Sequence, residues 1–567
     1  MALQEKPDTR AKRPTLDSML TDAALGSSGP RWLPGVAGAK AAAKLALAPQ
    51  KTLKRAGGYG FELARIAAGR SEVAPAKGDK RFKDKAWQGN PAFKRLGQSY
   101  IATGQYVDGL ISDAGLDWAE EQRLRFACEN ILDALAPTNF PATNPAVLKA
   151  WIDSGGGHVV QGTRQLIGDM AKAPRIPTMV DTTKFVVGEH LACTKGAVVF
   201  STEVFELIQY APLTEQVRET PLVVVPPMIN KYYVTDLAPG RSMIEHALGQ
   251  GQQVFAISWR NPGAEQADWS LETYVAAVLD ALDAATHITG TERAQTIGLC
   301  AGGIVLSIAV AHLAAKGELN KVAGLTLGVC VLDNERAGTV SSFADRRAAA
   351  LAVAESARKG YLSGRSLAGV FAWLRPTDLV WGYWVNNYLL GKRPPAFDIL
   401  FWNADTTNMP AGLHRDFVGM SLDNTLVNAG ELEVLGTPID LGAITTDAYL
   451  VAGIADHISP WENCYRTTQL LGSEPRFVLS TSGHIAAMVN PPGNEKASFQ
   501  TAKEHPADPE KFLAQASKQR GSWWEDWTEW LGERSGPEQA APKALGKGRG
   551  RYSPQGDAPG TYVFQQV

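Results

Sequence analysis

The sequence predicts an α/β fold in which helices cover both faces of a mostly parallel sheet. Three observations support this prediction. Apolar strand patterns alternate with helical patterns from about residue 185 onward, a glycine-framed turn joins one strand to a helix, and polar residues follow two later strands. Continuous apolar strands that alternate with helices are typical of parallel sheets buried on both faces. A helical region is expected before this sheet.

The first part of the chain predicts a tail followed by helices. Residues 1–78 begin with a stretch rich in alanine, glycine, proline and lysine, and we expect a mobile or amphipathic basic tail there. Residues 79–180 carry apolar residues at three- and four-residue spacing, for example from Gln122 to Leu135, and no β-rich run interrupts them. We therefore expect an all-helical N-terminal domain over residues 79–180.

The elements of the α/β region follow in chain order. Ala197–Phe200 and Phe205–Tyr210 predict a hairpin, and Leu271–Ile288 predicts a helix. The other predicted strands are Pro221–Val225, Gln253–Ser258, Ala294–Leu299, Leu325–Leu332, Asp447–Gly453 and Arg476–Leu479. We expect one catalytic domain over residues 181–567, with a tryptophan-containing cap insertion over about 333–428, where the alternation stops.

The most informative stretch runs from Gly298 to Gly302. It has the glycine frame of a nucleophile elbow, with Cys300 in the place that serine usually takes. The strand pattern ends just before Cys300, and Gly303–Lys316 has helical periodicity, so strand, turn and helix occur in the required order. The pattern predicts that Cys300 is the nucleophile of a covalent acyl transfer. The alternative is a buried cysteine that acts as a small apolar side chain.

A candidate acid and a candidate base follow the elbow. Asp456 comes just after one predicted strand, and His484 comes just after the next. This order of nucleophile, acid and histidine is the order found in α/β-hydrolases. His457 competes as the base, but its position directly beside the acid is poor for a bridge from Asp456 to Cys300. We expect Cys300, Asp456 and His484 to act together; the alternative for Asp456 is a helix cap or loop carboxylate.

Composition restricts the class of protein. With 567 residues, 45% hydrophobic and 20% charged, the chain can bury a core large enough for two or more domains. A net charge of -2 gives no preference for nucleic acids or acidic substrates. Five scattered cysteines without C-x-x-C spacing indicate no disulfide framework and no metal site, as expected in a reducing cytoplasm. Without an apolar run of about 20 residues, we do not expect a membrane span.

Several further motifs carry a family resemblance. They are Val225 to Tyr233, Ser258 to Pro262, Asp456 to Trp461, Ser482 to Ile485 and Asn490 to Pro492. Together with Cys300 in its elbow, they resemble the polyhydroxyalkanoate synthases of the single-subunit type, class I or class II. The resemblance runs from Gly57 to Val563 and so covers nearly all of the chain. It does not separate enzymes for short monomers from enzymes for medium-length monomers.

The resemblance implies an activity and its partners. The activity is polymerisation of (R)-3-hydroxyacyl-CoA into polyhydroxyalkanoate polyester with release of CoA. No separate cofactor is implied, because CoA is part of the substrate and a product. The implied partners are the growing polyester chain, the granule surface, granule-associated proteins and a second copy of the chain in a homodimer, but no nucleic acid. The implied location is the cytoplasm, at the surface of polyester storage granules.

The resemblance also implies roles for individual residues. Cys300 carries the acyl group as a thioester, and His484 assists formation of its thiolate. Asp456 orients His484, and the resemblance leads us to expect that it also helps to deprotonate the incoming 3-hydroxyl group. The backbone N–H of Ala301 and a second donor around Met228 are expected to hold the oxyanion.

Two other functions stay open at this point. A thioesterase, lipase or polyester depolymerase of the α/β-hydrolase type would use the same scaffold with water as the acceptor, but serine is usual in such elbows. A catalytically silent granule-coat protein would use the basic tail and the tryptophans for surface binding. The intact order of Cys300, Asp456 and His484 disfavours the second alternative.

Overall fold

The computed structural model describes residues 16–25, 34–172, 174–335 and 346–566, which form two compact units. One unit, which we call the catalytic unit, contains the described parts of Met1–Ala24, Thr182–Ala368 and Phe397–Val567. The other, which we call the helical unit, contains the described parts of Leu25–Asp181 and Gly369–Ala396. Both units are therefore built from segments that are separated in the sequence.

The helices are numbered in chain order within the described residues. The first eight are α1 (Leu16–Leu25), α2 (Gly35–Ala46), α3 (Pro49–Ala67), α4 (Ala86–Gly89), α5 (Pro91–Asp113), α6 (Trp118–Ala134), α7 (Pro145–Ser154) and α8 (Gly157–Met170). The next six are α9 (Met243–Gly249), α10 (Leu271–Thr289), α11 (Ala301–Ala315), α12 (Arg346–Lys359), α13 (Gly364–Trp373) and α14 (Asp398–Ala404). The last five are α15 (Ala411–Asp423), α16 (Trp461–Leu470), α17 (His484–Met488), α18 (Pro509–Gln515) and α19 (Trp523–Gly532).

The strands are numbered in the same way. They begin with β1 (Gly196–Ser201), β2 (Phe205–Tyr210), β3 (Gln216–Arg218), β4 (Leu222–Val225), β5 (Val254–Trp259), β6 (Ala294–Leu299), β7 (Val322–Gly328), β8 (Tyr361–Leu362) and β9 (Met409–Pro410). They continue with β10 (Glu433–Val434), β11 (Thr437–Pro438), β12 (Ala448–Gly453), β13 (Arg476–Ser480), β14 (Ser498–Thr501), β15 (Ser517–Arg520), β16 (Glu538–Ala540) and β17 (Gly556–Asp557).

An eleven-stranded mixed sheet forms the centre of the catalytic unit, in the order β15-β14-β13-β12-β7-β6-β4-β5-β2-β1-β17. The six strands from β13 to β5 are parallel, and antiparallel strands complete both edges. Every residue of β4, β5, β6 and β12 is buried. The continuous apolar runs are explained by this burial on both faces, and the predicted α/β fold class is confirmed.

Helices on the sheet supply the rest of the catalytic core. In α11, every residue from Ala301 to Leu313 is buried, as its apolar composition on all sides requires. The helix α19 adds Trp523, Trp524 and Trp527, each at most 1% exposed, to a cluster that also contains residues of the central strands. The indole N–H of Trp527 donates to Thr326 Oγ1 on β7 at 3.0 Å, which fixes α19 on the sheet.

The helical unit has its own small core. Ala37 and Ala41 of α2 pack against Ile111 of α5 and Leu124 of α6 in one buried cluster. Elsewhere in the unit, the Arg81 guanidinium contacts Asp79, Asp133 and the Tyr100 hydroxyl, so this half-buried cation has several polar partners. None of the helices in the described residues is long and apolar enough to cross a membrane.

The structure divides the N-terminal region differently from the predicted tail over residues 1–78. The helices α2 and α3 belong to the helical unit, and the buried part of α1 belongs to the catalytic unit. Alanine-rich helices bury a narrow face with little apolar area, so composition alone does not separate them from a solvated tail. Residues 1–15 and 26–33 of the predicted tail lie outside the described residues.

The predicted boundaries at residues 79–180, 181–567 and 333–428 also differ from the two units. The helical unit begins at Leu25 and includes Gly369–Ala396, which was expected to be part of the cap. This segment contains two π-helical stretches, Thr377–Trp381 and Trp384–Leu389. The Tyr388 hydroxyl donates to Asp169 Oδ2 of α8 at 2.6 Å within the helical unit. Tertiary contacts of this kind leave no local signal in the sequence.

Candidate active site

The elbow places Cys300 between β6 and α11. Cys300 has φ 50° and ψ -124°, a strained conformation for a residue with a side chain. Its N–H donates to the Gly328 carbonyl of β7 at 2.9 Å, so the sheet holds the turn in place. A Cβ atom on Gly302 would lie 2.5 Å from the carbonyl oxygens of Val225 and Pro226. The glycine frame is therefore required by the close approach of α11 to the end of β4.

Cys300 lies directly before the N-terminus of α11. α11 begins at Ala301, and the N–H groups of a helix N-terminus carry a partial positive charge. The Cys300 side chain is half-buried, so it retains access to a ligand.

The surroundings of the other four cysteines make them less reactive. Burial raises the pKa of the thiols of Cys128, Cys193, Cys330 and Cys464. Cys330 and Cys464 lie close enough to Cys300 for its charge to contribute to this increase. A raised thiol pKa lowers the fraction of thiolate, which is the nucleophilic form. Cys300 is therefore the candidate nucleophile among the five cysteines of the chain.

Asp456 and His484 meet at the carboxyl end of the parallel strands. Asp456 Oδ2 and His484 Nδ1 are 2.7 Å apart, and the two side chains are 0% and 7% exposed. The other Asp456 oxygen accepts the N–H groups of Ile458 at 2.8 Å and Ser459 at 2.9 Å. These bonds fix the carboxylate and direct its free edge toward the imidazole of His484.

His484 also contacts Cys300. Burial by itself lowers the pKa of His484, but the Asp456 carboxylate and the Cys300 sulfur beside the ring raise this pKa to about 10. The ring is hydrogen-bonded to both neighbours. The structure thus brings together the three residues that the sequence analysis selected, with His484 between Asp456 and Cys300. His457 lies on the same loop as Asp456 and is half-buried.

The two expected oxyanion donors occupy different places. Ala301 lines the cavity beside Cys300, as expected for the first residue of α11. Met228 is 2% exposed and lies in the loop after β4, where its carbonyl accepts the Thr407 hydroxyl at 3.0 Å. Met228 is not among the described residues that line the cavity. The cavity lining includes the first expected donor and not the second, and both donor roles stay predictions.

The cavity beside Cys300 has a volume of about 30 Å³. Its lining includes several residues that the sequence analysis did not assign to the site, namely Met19, Ile304, Val329, Val331, Asn334, Ser421, Ile458, Ser459 and Pro460. A sequence signal was present for one of these elements. Leu16, Met19, Leu20 and Ala23 have helical spacing, which predicts an amphipathic helix at α1.

The fold and the site define an α/β-hydrolase-type acyltransferase with a cysteine, histidine and aspartate at the carboxyl edge of its sheet. Residues 228–491 match the family model described as alpha/beta hydrolase fold. Residues 78–247 match the model described as Poly-beta-hydroxybutyrate polymerase (PhaC) N-terminus. The chain belongs to the poly(3-hydroxyalkanoate) polymerases, as its curated relatives show.

Two of these relatives are similar over most of their length. Poly(3-hydroxyalkanoate) polymerase 1 of Ectopseudomonas oleovorans is 44% identical over 519 residues, which cover 91% of this chain and 92% of the relative. Poly(3-hydroxyalkanoate) polymerase subunit PhaC of Cupriavidus necator is 40% identical over 505 residues, covering 88% of this chain and 85% of the relative. Among solved structures, the crystal structure of a Paleococcus ferrophilus monoacylglycerol lipase matches this chain with a TM-score of 0.32 and 14% sequence identity. The match covers 58% of this chain and 99% of the lipase chain.

Proposed function

We propose that this polymerase holds the growing polyester as a thioester on Cys300 and extends it with (R)-3-hydroxyacyl-CoA. The observation that carries the proposal is the contact of His484 with both Asp456 and Cys300 at the nucleophile elbow. Nucleophile, base and orienting acid within hydrogen-bond reach are the signature of covalent acyl transfer. Membership of the polymerase family supplies the acyl acceptor, which is a hydroxyl group and not water.

The first step loads the enzyme. His484 takes the proton of the Cys300 thiol, and the thiolate attacks the carbonyl carbon of the acyl-CoA thioester. The Ala301 N–H stabilises the oxyanion, and removal of such a donor typically costs about 3 kcal/mol of barrier. The bond between the carbonyl carbon and the CoA sulfur then breaks, and His484 returns the proton to the leaving CoA thiolate. The products are acyl-Cys300 and free CoA.

The second step lengthens the chain. The 3-hydroxyl group of an incoming hydroxyacyl-CoA attacks the thioester carbonyl on Cys300 and gives up its proton to His484. An ester bond forms, the bond from the carbonyl carbon to Cys300 sulfur breaks, and the thiolate is regenerated. Cys300 then attacks the CoA thioester of the lengthened chain and releases CoA as in the first step. Each cycle therefore adds one monomer and frees one CoA.

Asp456 acts through His484 in this proposal. Its Oδ1 accepts two backbone N–H groups, its Oδ2 contacts His484, and the side chain is 0% exposed. A carboxylate with these contacts orients the imidazole and stabilises its positive charge. Direct removal of the 3-hydroxyl proton by Asp456 would require the carboxylate to leave these partners.

The proposal extends to cofactor, location and assembly. The reaction needs no separate cofactor, because CoA enters as part of the substrate. Within the part of the chain that the structure describes, no three His, Cys, Asp or Glu side chains group together around a metal-sized site. An enzyme bonded to its apolar product stays at the surface of the polymer, which supports the granule surface as its location. Homodimer formation and binding of granule-associated proteins are proposals that rest on the family resemblance.

One assay distinguishes polymerase, hydrolase and coat protein. Purified protein is mixed with 3-hydroxybutyryl-CoA, free CoA is followed with a thiol reagent, and the product is sized after removal of protein. We expect CoA release together with a long polyester, and acylated Cys300 in peptides from an acid-quenched reaction. Release of CoA with free hydroxy acid would identify a hydrolase. No release would contradict an enzymatic role.

A further inference from the structure

The helix α1 belongs to the catalytic unit up to Ala24. Its side chains Met19, Leu20 and Ala23 are 1%, 0% and 2% exposed, so one face of α1 is packed into the protein. The Leu20 backbone lies against the ring of His414 on α15. These three buried side chains are apolar, whereas Leu25 at the end of the helix is 40% exposed.

Met19 lies in the wall of the cavity beside Cys300. This cavity is also lined by Ala301 and Ile304 of α11 and has a volume of about 30 Å³. Pockets that hold a small ligand usually have volumes of about 300 to 1,000 Å³. A cavity of about 30 Å³ therefore leaves too little room beside Cys300 for the acyl group of a 3-hydroxyacyl thioester. At least one wall must withdraw during acylation.

Several walls of the cavity are parts of the catalytic framework. Val329, just after β7, donates its N–H to the Val451 carbonyl at 2.7 Å. The N–H groups of Ile458 and Ser459 hold the Asp456 carboxylate. Ala301 belongs to the elbow itself. Displacement of any of these residues would disturb the sheet or the site. α1 is not a strand of the sheet, and the Met19 side chain is unbranched and flexible.

We propose that α1 is an occluding helix of the active site, and that it withdraws to let the acyl group of the donor occupy the space next to Cys300. Met19 fills this space in the closed state. The buried apolar face of α1 holds the closed state together, and loss of that packing favours the open state. This inference rests on the proposed role of Cys300 as the acyl carrier, and it gives the N-terminal segment control over access to that residue.

The test measures access to Cys300 directly. Iodoacetamide alkylates the full-length protein, and the rate at Cys300 is read from its peptide by mass spectrometry. Met19→Ala enlarges the cavity while keeping a good helix former, and Met19→Trp fills it. Leu20→Asp introduces a charge into the buried face of α1 and drives the helix out. Leu25→Asp is the matched control, because it adds the same charge at an exposed position of the same helix.

We expect Cys300 to be alkylated faster in Met19→Ala and more slowly in Met19→Trp than in the unmodified sequence. In Leu20→Asp the alkylation rate should rise by about tenfold or more. Leu25→Asp should be alkylated at the rate of the unmodified sequence. Initial CoA release from 3-hydroxybutyryl-CoA should rank the two Met19 variants in the same order. Unchanged alkylation in both Met19 variants would overturn the proposal, even if Leu20→Asp fails to fold. A polymerase that stays active without Cys300 would instead refute the proposed acyl carrier, while the alkylation rates would still report the position of α1.

Discussion

At the residue scale, chemistry in this site depends on how each side chain is surrounded. The chain contains five cysteines, and burial raises the thiol pKa of four of them. Cys300 differs because it combines a helix N-terminus, a half-buried side chain and a contact with His484. Reactivity of a thiol depends on such electropositive and accessible surroundings.

The first prediction concerns Cys300 itself. Cys300→Ala should lower CoA release by at least about a thousandfold, because no other group supplies the nucleophile. Cys300→Ser should also be much slower, since a hydroxyl is far harder to ionise with the same base. The melting temperature should change little in either variant. Cys128→Ala in the helical unit is the control and should keep its activity. Turnover near the normal rate in Cys300→Ala would contradict the mechanism.

The two candidate histidines give the second prediction. His484→Gln should lose nearly all acylation, because the ring is the hydrogen-bonded link between Asp456 and Cys300. His457→Gln should lose much less. Single-turnover acylation by 3-hydroxybutyryl-CoA measures the step in which the base acts. If His457→Gln were the slower of the two, the assignment of the base would be wrong.

The third prediction is a pH dependence caused by Asp456. The pKa of His484 is raised from 6.5 to about 10 in the folded protein. The resulting stabilisation is complete below about pH 6.5 and is lost as the pH rises through about 10. Asp456→Asn removes a main cause of the increase and leaves burial, which lowers the pKa. The His484 ring should therefore titrate at lower pH in the variant.

Two measurements check this pH dependence. NMR of histidine-labelled protein should show the His484 ring losing its proton at a lower pH in Asp456→Asn than in the unmodified sequence. The difference in melting temperature between the two proteins should be largest at or below pH 6.5 and should narrow toward pH 10. A constant difference over this range, together with an unchanged titration of His484, would disprove the link to Asp456.

At the scale of elements, local pattern was sufficient for the elbow. The predicted strand Ala294–Leu299 has the observed bounds of β6, and the glycine frame correctly marked the turn into α11. The sequence pattern predicted the end of β7 less accurately. The predicted strand Leu325–Leu332 continues past the observed end at Gly328, because Val329, Cys330 and Leu332 stay buried beyond the end of the strand. Apolar character reports burial and not strand geometry.

The fourth prediction tests why the elbow needs glycine. Gly302→Ala should disrupt the elbow, because its Cβ would lie 2.5 Å from two backbone carbonyl oxygens at the end of β4. We expect a loss of about 1 to 3 kcal/mol of stability and a much larger loss of turnover. Gly419→Ala in α15 is the control, because a Cβ there has no neighbour within 4 Å. Thermal unfolding and CoA release measure both effects. A Gly302→Ala protein as stable and active as the control would refute the argument.

The helix α1 is one of the elements whose place in the fold the sequence did not predict. Its apolar positions have helical spacing, but the basic, alanine-rich surroundings suggested a mobile or amphipathic tail. The structure instead buries Met19 and Leu20 in the catalytic unit. Helical periodicity shows that a helix has a face to bury, but the partner of that face is fixed only by the tertiary fold. This is why the sequence could predict that Cys300, Asp456 and His484 lie together, as the structure shows, but could not predict the position of Met19.

At the scale of the whole molecule, the C-terminal segment (residues 556–566) returns to the sheet. β17 pairs with β1, and the buried Glu206 of β2 accepts the Thr561 hydroxyl at 2.6 Å and the N–H groups of Thr561 and Tyr562 at 2.8 and 3.0 Å. Further along, the Gln565 carbonyl accepts from the buried ammonium group of Lys231. The C-terminal segment therefore contacts the loop after β4, which also carries Met228.

A second contact connects the C-terminal segment with the next loop of the same edge. The Gln565 side chain accepts the N–H of Asn261, in the loop after β5, at 2.9 Å. The Asn261 side chain in turn accepts the N–H of Asn408 at 2.9 Å. Two loops at the carboxyl ends of parallel strands, where the site lies, are thus held by residues some 300 positions later in the chain. The resemblance extends to Val563, but it did not predict this structural role.

The last prediction tests whether this attachment supports catalysis. Glu206→Ala removes the acceptor of three hydrogen bonds and should weaken the attachment of the C-terminal segment by about 2 to 4 kcal/mol, because hydrogen bonds to a charged group are the stronger ones. Hydrogen exchange in residues 556–566 should rise, and CoA release should fall as the loops after β4 and β5 lose their support. Glu203→Ala, at an exposed position of the same hairpin, should change neither measurement. Faster exchange in Glu206→Ala with full turnover would show that the C-terminal segment stabilises the sheet without positioning the site.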